Sequence, residues 1–202
     1  MRELNEAAEK AKALFGANDS TPISGNWAKW YHEGIPDEPE DVRAEERAKA
    51  AVEYHCMECT GLSGCYFIDG AKTFPTYPHH QNCHCEKQDE SPNTVIADCD
   101  IRKFTGYIFA DKYAYNGKRV LFRDNFGYTI EDSPNLKAEY ERQAKEKYMS
   151  GDYILNELGQ YGQFININIE LESPKHGIVN VISGWQVHPN GLITCNTPYG
   201  DD

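Results

Sequence analysis

The 202-residue chain has no long apolar run and no excess of positive charge, and each absence removes a class of function. Its strongly apolar stretches are short, well under the roughly 20 residues that a membrane-spanning helix requires. The opening Met1-Arg2-Glu3-Leu4 mixes charges and lacks the basic and apolar regions of a signal peptide, so an intracellular chain without a membrane anchor is expected. Lys and Arg number 20 against 32 Asp and Glu, a net charge of −12, which argues against direct binding to nucleic-acid phosphate. Also missing are an internal repeat, a phosphate-binding loop, a dinucleotide fingerprint and a Gly-x-Ser-x-Gly elbow.

What is present suits a folded protein. Apolar residues make up 40% and charged residues 26%, with thirteen Tyr and three Trp, enough to build a core in one domain or two small ones. The acidic excess is uneven: residues 1–94 carry 9 basic and 17 acidic side chains, residues 95–202 carry 11 and 15. Residues 86–94, Glu-Lys-Gln-Asp-Glu-Ser-Pro-Asn-Thr, are polar and read as a linker. Two units are therefore expected, a helical and metal-binding segment over residues 1–90 and a domain over residues 95–202.

The expected fold class is α+β. Leu4, Ala7, Ala8, Ala11, Leu14 and Phe15 recur at helical spacing over residues 2–15, and a second helix runs from near Pro39 towards His55. Trp27, Trp30 and Tyr31 stand in a stretch punctuated by Pro and Gly and read as anchors of a loop. Further on, helices are predicted over 100–109 and over 134–149, the latter capped by Ser133 with Pro134 in its first turn. Ile165, Ile167, Ile169 and Leu171 alternate with polar residues, the period-two pattern of a half-buried strand. With Ile178–Val187, the Asn190-Gly191 turn and Leu192–Thr197 they make an antiparallel three-stranded meander.

The cysteines carry the strongest chemical signal. Five of the seven fall between Cys56 and Cys85. Cys56-Met57-Glu58-Cys59 is a C-x2-C knuckle, and after 20 intervening residues come His80-Gln81-Asn82-Cys83-His84-Cys85. Zinc takes four soft or borderline ligands in a tetrahedron, usually as two short-spaced pairs closing a loop. The preferred ligand set is Cys56, Cys59, Cys83 and Cys85, with His80 as a replacement for one of the later cysteines. Four protein ligands leave no open position, so the zinc is structural. The plain alternative is a set of reduced, partly buried thiols without metal. His79 and His84 are expected around the site or at the surface, and Cys65, Cys99 and Cys195, without paired spacing, as small core residues.

Two resemblances rest on these residues. Cys56 and Cys59, Gly61-Leu62-Ser63-Gly64, Phe67 and the run from His80 to Cys85 resemble the zinc-binding C-terminal part of Mu-type phage minor head (head morphogenesis) proteins, with Gln81 and His84 where that pattern has Pro and Arg. Arg102–Phe109, Gly117-Lys118, Phe126–Thr129, Tyr161-Gly162-Gln163 and Ser183-Gly184-Trp185 resemble a small domain of unknown function. That domain occurs at the ends of prophage minor head proteins and of polymorphic toxins. The first resemblance implies a zinc-binding segment and a phage context. The second implies, by analogy, a small nuclease-like α+β fold.

Three functions follow as expectations. The leading one is a phage or prophage-derived accessory protein, virion-associated or related to head morphogenesis, present in the host cytoplasm or the virion. It would bind a protein partner, a phage structural component or a host protein, and carry structural zinc. The second is a ribonuclease-type, toxin-like C-terminal domain with His176 or His188 as base and Lys118 or Arg142 holding phosphate. Against it, each histidine sits in a loop and each cation among abundant carboxylates. The third is an acidic inhibitor of a host nucleic-acid-binding protein. No catalytic set is convincing, and the four groups of the second reading are expected to be dispersed.

Overall fold

The computed structural model describes residues 23–33, 35, 57–78, 80–81, 83–110, 120–159 and 162–199. The helices predicted over 2–15 and 39–55 lie outside these residues, as do the Asn116-Gly117 turn, Cys56, His79 and Lys118. Within them the fold is α+β, with two sheets and few helices. Strand β1 (Trp27–His32) is flanked by β2 (Tyr66–Ile68) and β3 (Cys85–Gln88), both antiparallel to it. Helix α1 (Met57–Leu62) precedes β2. The second sheet contains β4 (Ile96–Asp98), β5 (Ile154–Gly159), β6 (Gly162–Ser173), β7 (Gly177–Val187) and β8 (Leu192–Thr197), in the order β4-β8-β7-β6-β5.

The runs read as a three-stranded meander are thus three neighbours of a five-stranded sheet. β5 adds an antiparallel edge and β4 a parallel one. Neither edge strand shows alternation strong enough to be read locally: β4 has three residues, and β5 carries a register shift between Leu155 and Leu158. The turn at Asn190-Gly191 takes the left-handed conformation at both residues, φ 62° and 78°. Gly191 has a second constraint, because a Cβ there would lie 2.2 Å from the carbonyl oxygen of Thr94, two residues before β4.

Helix α2 (Ser133–Ser150) covers one face of this sheet. It buries Leu136, Tyr140, Gln143, Ala144 and Tyr148 against Ile165, Ile167, Ile169 and Leu171 of β6 and the core around Trp185. Pro134 stands in its first turn and Gly151, at φ 75°, ends it. Ser133 is not the cap; it is the first helical residue, and its hydroxyl donates to the Ile130 carbonyl. The capping box lies one turn earlier, between Thr129 and Asp132. Gln143 does a strand's work. β5 follows β6 only as far as Asn166, and beyond that point the Gln143 amide donates to the Glu170 carbonyl and accepts from the Glu170 N–H at 2.6 and 2.9 Å.

Three local readings change. Trp27–His32 is a strand rather than a loop, with Trp27, Ala28 and Trp30 all buried; a strand covered on both faces shows no alternation. The helix over 100–109 is a single π-helical turn, Phe104–Ile108, which buries Phe104 and Ile108 and leaves Ile101 exposed. A second π-helical turn at Val120–Asn125 supplies Phe122. Residues 86–88, read as linker, form most of β3. The two sheets contribute to one buried cluster. The Tyr148 hydroxyl donates to the Tyr66 carbonyl, the Tyr153 hydroxyl donates to the Thr73 carbonyl at 2.7 Å, and Trp27 packs edge-on to Tyr148.

Candidate metal centre

The three-stranded sheet exists to a large extent around the cysteine-rich loop. Cys59 sits in α1 with its side chain fully buried. The chain then passes through β2 and a loop that returns at His80, where the Cys83 N–H donates to the His80 carbonyl at 3.1 Å and closes a turn. Cys85 opens β3 and stands opposite His32 on β1. Tyr77 fastens the loop from outside, donating its hydroxyl to the Cys85 carbonyl at 2.6 Å.

Cys59, His80 and Cys83 form a cluster whose ligand atoms all lie within 4.8 Å of one another, and it could hold a metal ion. Cys59 Sγ lies 3.8 Å from Cys83 Sγ and 3.3 Å from His80 Nε2. For zinc bonds of about 2.3 Å to sulfur and 2.0 Å to nitrogen, tetrahedral geometry puts two sulfurs about 3.8 Å apart and a sulfur and a nitrogen about 3.5 Å apart. The observed separations fit a zinc-sized ion. The His80 ring is turned so that it can ligate through Nε2. Its Nδ1 faces the Gln81 carbonyl at 2.9 Å, which makes Nδ1 the protonated nitrogen and leaves the Nε2 lone pair towards Cys59.

Cys85 borders this cluster. Its thiol is pulled down to about 6, first by a hydrogen bond with Cys59, then by the neighbouring Trp30 side chain and by Cys83, with the charge of His32 adding to the effect and burial opposing it. An environment built to hold a thiolate is what a metal-binding cysteine needs. Trp30 is fixed in turn by stacking on Phe74 and by the edge of Tyr77, each 5.7 Å between ring centres. Of the expected ligands, the structure brings Cys59, Cys83 and the alternative His80 together and sets Cys85 beside them. Cys56 lies outside the described residues. The sequence reads Trp30 as an anchor of a loop; that it and His32 support this site depends on β1 lying beside β3, which the sequence does not show. His84 is exposed, its ring 6.4 Å from that of His32.

The groups of the ribonuclease reading do not converge among the described residues. His176 is an exposed residue of the β6–β7 turn, and its backbone N–H donates to Ser173 Oγ. His188 follows the opposite end of β7, with Nε2 2.8 Å from Thr194 Oγ1. The strand between them puts more than about 30 Å between the two rings. Arg142 is held by ion pairs to Glu139 and Glu146, which push its already high value further up. It lines a cavity of about 760 Å³ beside Glu139, Glu146, Glu170, Glu172 and Asp132, a lining that repels phosphate. No helix among the described residues is long and apolar enough to cross a membrane. Comparison with protein-family models, with curated proteins and with solved structures finds no match to this chain.

Proposed function

We propose that the chain is a phage or prophage-derived accessory protein, virion-associated or related to head morphogenesis, that works by binding a protein partner and is held in shape by one structural zinc. The observation that carries the metal half of this reading is the Cys59, His80 and Cys83 cluster, whose separations match the edges of a zinc tetrahedron. Cys85 closes the set in this reading, with Cys56 as the other candidate. A site completed by a fourth protein ligand has no position for substrate, so the ion cross-links α1 to the loop before β3. The phage half rests on the two sequence resemblances. Binding rather than catalysis is supported by the separation of His176 from His188 and by the carboxylate clamp on Arg142. The partner is a phage structural component or a host protein, met in the host cytoplasm or the virion.

Elemental analysis of purified protein is expected to find about one zinc per chain, lost in Cys59→Ser and in Cys83→Ser. Metal-free protein with an unchanged thermal melt overturns the metal reading. Mass spectrometry of virions and the functions of neighbouring genes test the phage reading separately; a locus carrying a dedicated immunity gene favours the toxin instead.

A further inference from the structure

The five-stranded sheet contains a second cysteine pair. β4 and β8 run parallel with Ile96, Ala97 and Asp98 opposite Leu192, Ile193 and Thr194, and Cys99 and Cys195 are the residues that follow the last pair on each side. Neighbouring strands lie about 4.8 Å apart, which falls inside the window of about 4.4–6.8 Å between Cα atoms that a disulfide spans. Cys99 is fully buried and Cys195 is 5% exposed. The two thiols hydrogen-bond to each other, and that contact, ahead of burial, pushes the Cys99 thiol far above its ordinary value. Tyr140 lies close to both, with its hydroxyl donated to the Pro198 carbonyl, and Glu141 accepts the Cys99 N–H at 2.9 Å. The pair stands apart from the metal centre and takes no part in it.

We propose that Cys99 and Cys195 are a dithiol modification site that closes to an intramolecular disulfide when the protein meets a small peroxide oxidant. Because the pair is buried, the oxidant is a small one, hydrogen peroxide, rather than a bulky disulfide. The sulfur of Cys195, the less buried residue, attacks one peroxide oxygen; an S–O bond forms, the O–O bond breaks, and the departing oxygen takes up the thiol proton as water. The Cys99 sulfur then attacks the sulfenic sulfur of Cys195; the S–S bond forms, the S–O bond breaks, and the second water leaves with the Cys99 proton. Two thiols are oxidised to one disulfide and one peroxide is reduced to two waters. The product ties the three-residue edge strand β4 covalently to β8 and closes a loop of roughly 100 residues, the length class in which cross-linking restricts the unfolded chain most. The staple sets on passage from a reducing to an oxidising medium.

The test uses the full-length, metal-loaded wild-type protein treated with hydrogen peroxide, alkylated in denaturant and digested with trypsin. The expected product is a cross-linked species joining residues 88–102 to residues 176–202, lighter by two hydrogens than the separate peptides and split by dithiothreitol. The melt shifts upward by several degrees on oxidation and returns on reduction, and Cys195→Ser loses both effects. Recovery of Cys99 and Cys195 as separate alkylated or overoxidised residues, while the thiols of the cluster at Cys59 and Cys83 have reacted, overturns the proposal. The peptide map is made on wild-type protein, so a poorly folding variant does not affect it.

Discussion

The two sheets are held by different means. The five-stranded sheet is a hydrophobic construction: β6 carries Ile165, Ile167, Ile169 and Leu171 into the core that α2 helps to cover, and all four are buried. The three-stranded sheet has short outer strands, of three and four residues, and its space is filled by aromatic rings and thiols around Trp30 and Cys85. Apolar area stabilises in proportion to what is buried, so the centre of the larger sheet is held without a metal. A small, loop-rich unit buries less and gains more from a metal. The lesson is that the candidate metal ligands enter this fold where aliphatic burial is thinnest, although both parts share one core.

The largest expected effect separates the two. Removing the metal, or replacing Cys59 with Ser, is expected to lower Tm by at least about 10 °C, several kcal/mol in a protein of this size. Hydrogen exchange should locate the loss in residues 57–88 and leave residues 162–197 protected; a uniform loss would break the comparison. Next comes Ile169→Ala, which opens a cavity under α2 and should cost about 2–5 kcal/mol in denaturant unfolding, with zinc content unchanged.

Alkaline pH sharpens the same contrast. Burial pushes the Tyr128 hydroxyl up to about 12 and those of Tyr140, Tyr148 and Tyr153 further, so all four stay neutral in the folded protein after the unfolded chain has begun to ionise near 10. Raised acid groups of this kind contribute stability that is whole below pH 10 and falls as pH rises above it. Melting at pH 9 and at pH 11 should show that decline, and phenolate absorbance should rise in step with unfolding. The smallest effect is expected at Arg142. Its ion pairs are exposed, so Arg142→Ala should shift Tm by no more than about 1 °C. A change of several degrees would mean that α2 depends on its outer face.

What was legible locally in the sequence is the part where a short-range pattern coincides with a physical cause. Alternation over Ile165–Leu171 marks β6 because one face of that strand is buried and the other is wet. Pro134 and the four-residue spacing of Leu136, Tyr140, Ala144 and Tyr148 mark α2 for similar reasons, and Gly151, which ends it, was not read. The paired spacing of Cys56 and Cys59 with Cys83 and Cys85, and His80 as the alternative, pointed to a candidate metal centre, and Cys59, His80 and Cys83 are the members that the structure clusters. β1 was missed because it is covered on both faces, and β4 because three residues carry no period.

The sequence by itself therefore determined the α+β class, the core face of β6 and the residue types of the candidate metal centre. Only the tertiary structure decided which donors meet. It set His80 beside Cys59, brought the Trp30 side chain next to Cys85, and put Cys99 beside Cys195 at the end of a parallel pairing that no spacing in the chain foretells. The physical reason is common to all three. Each contact is made between segments far apart along the chain, and register and crossover, rather than local periodicity, fix where their side chains come to rest.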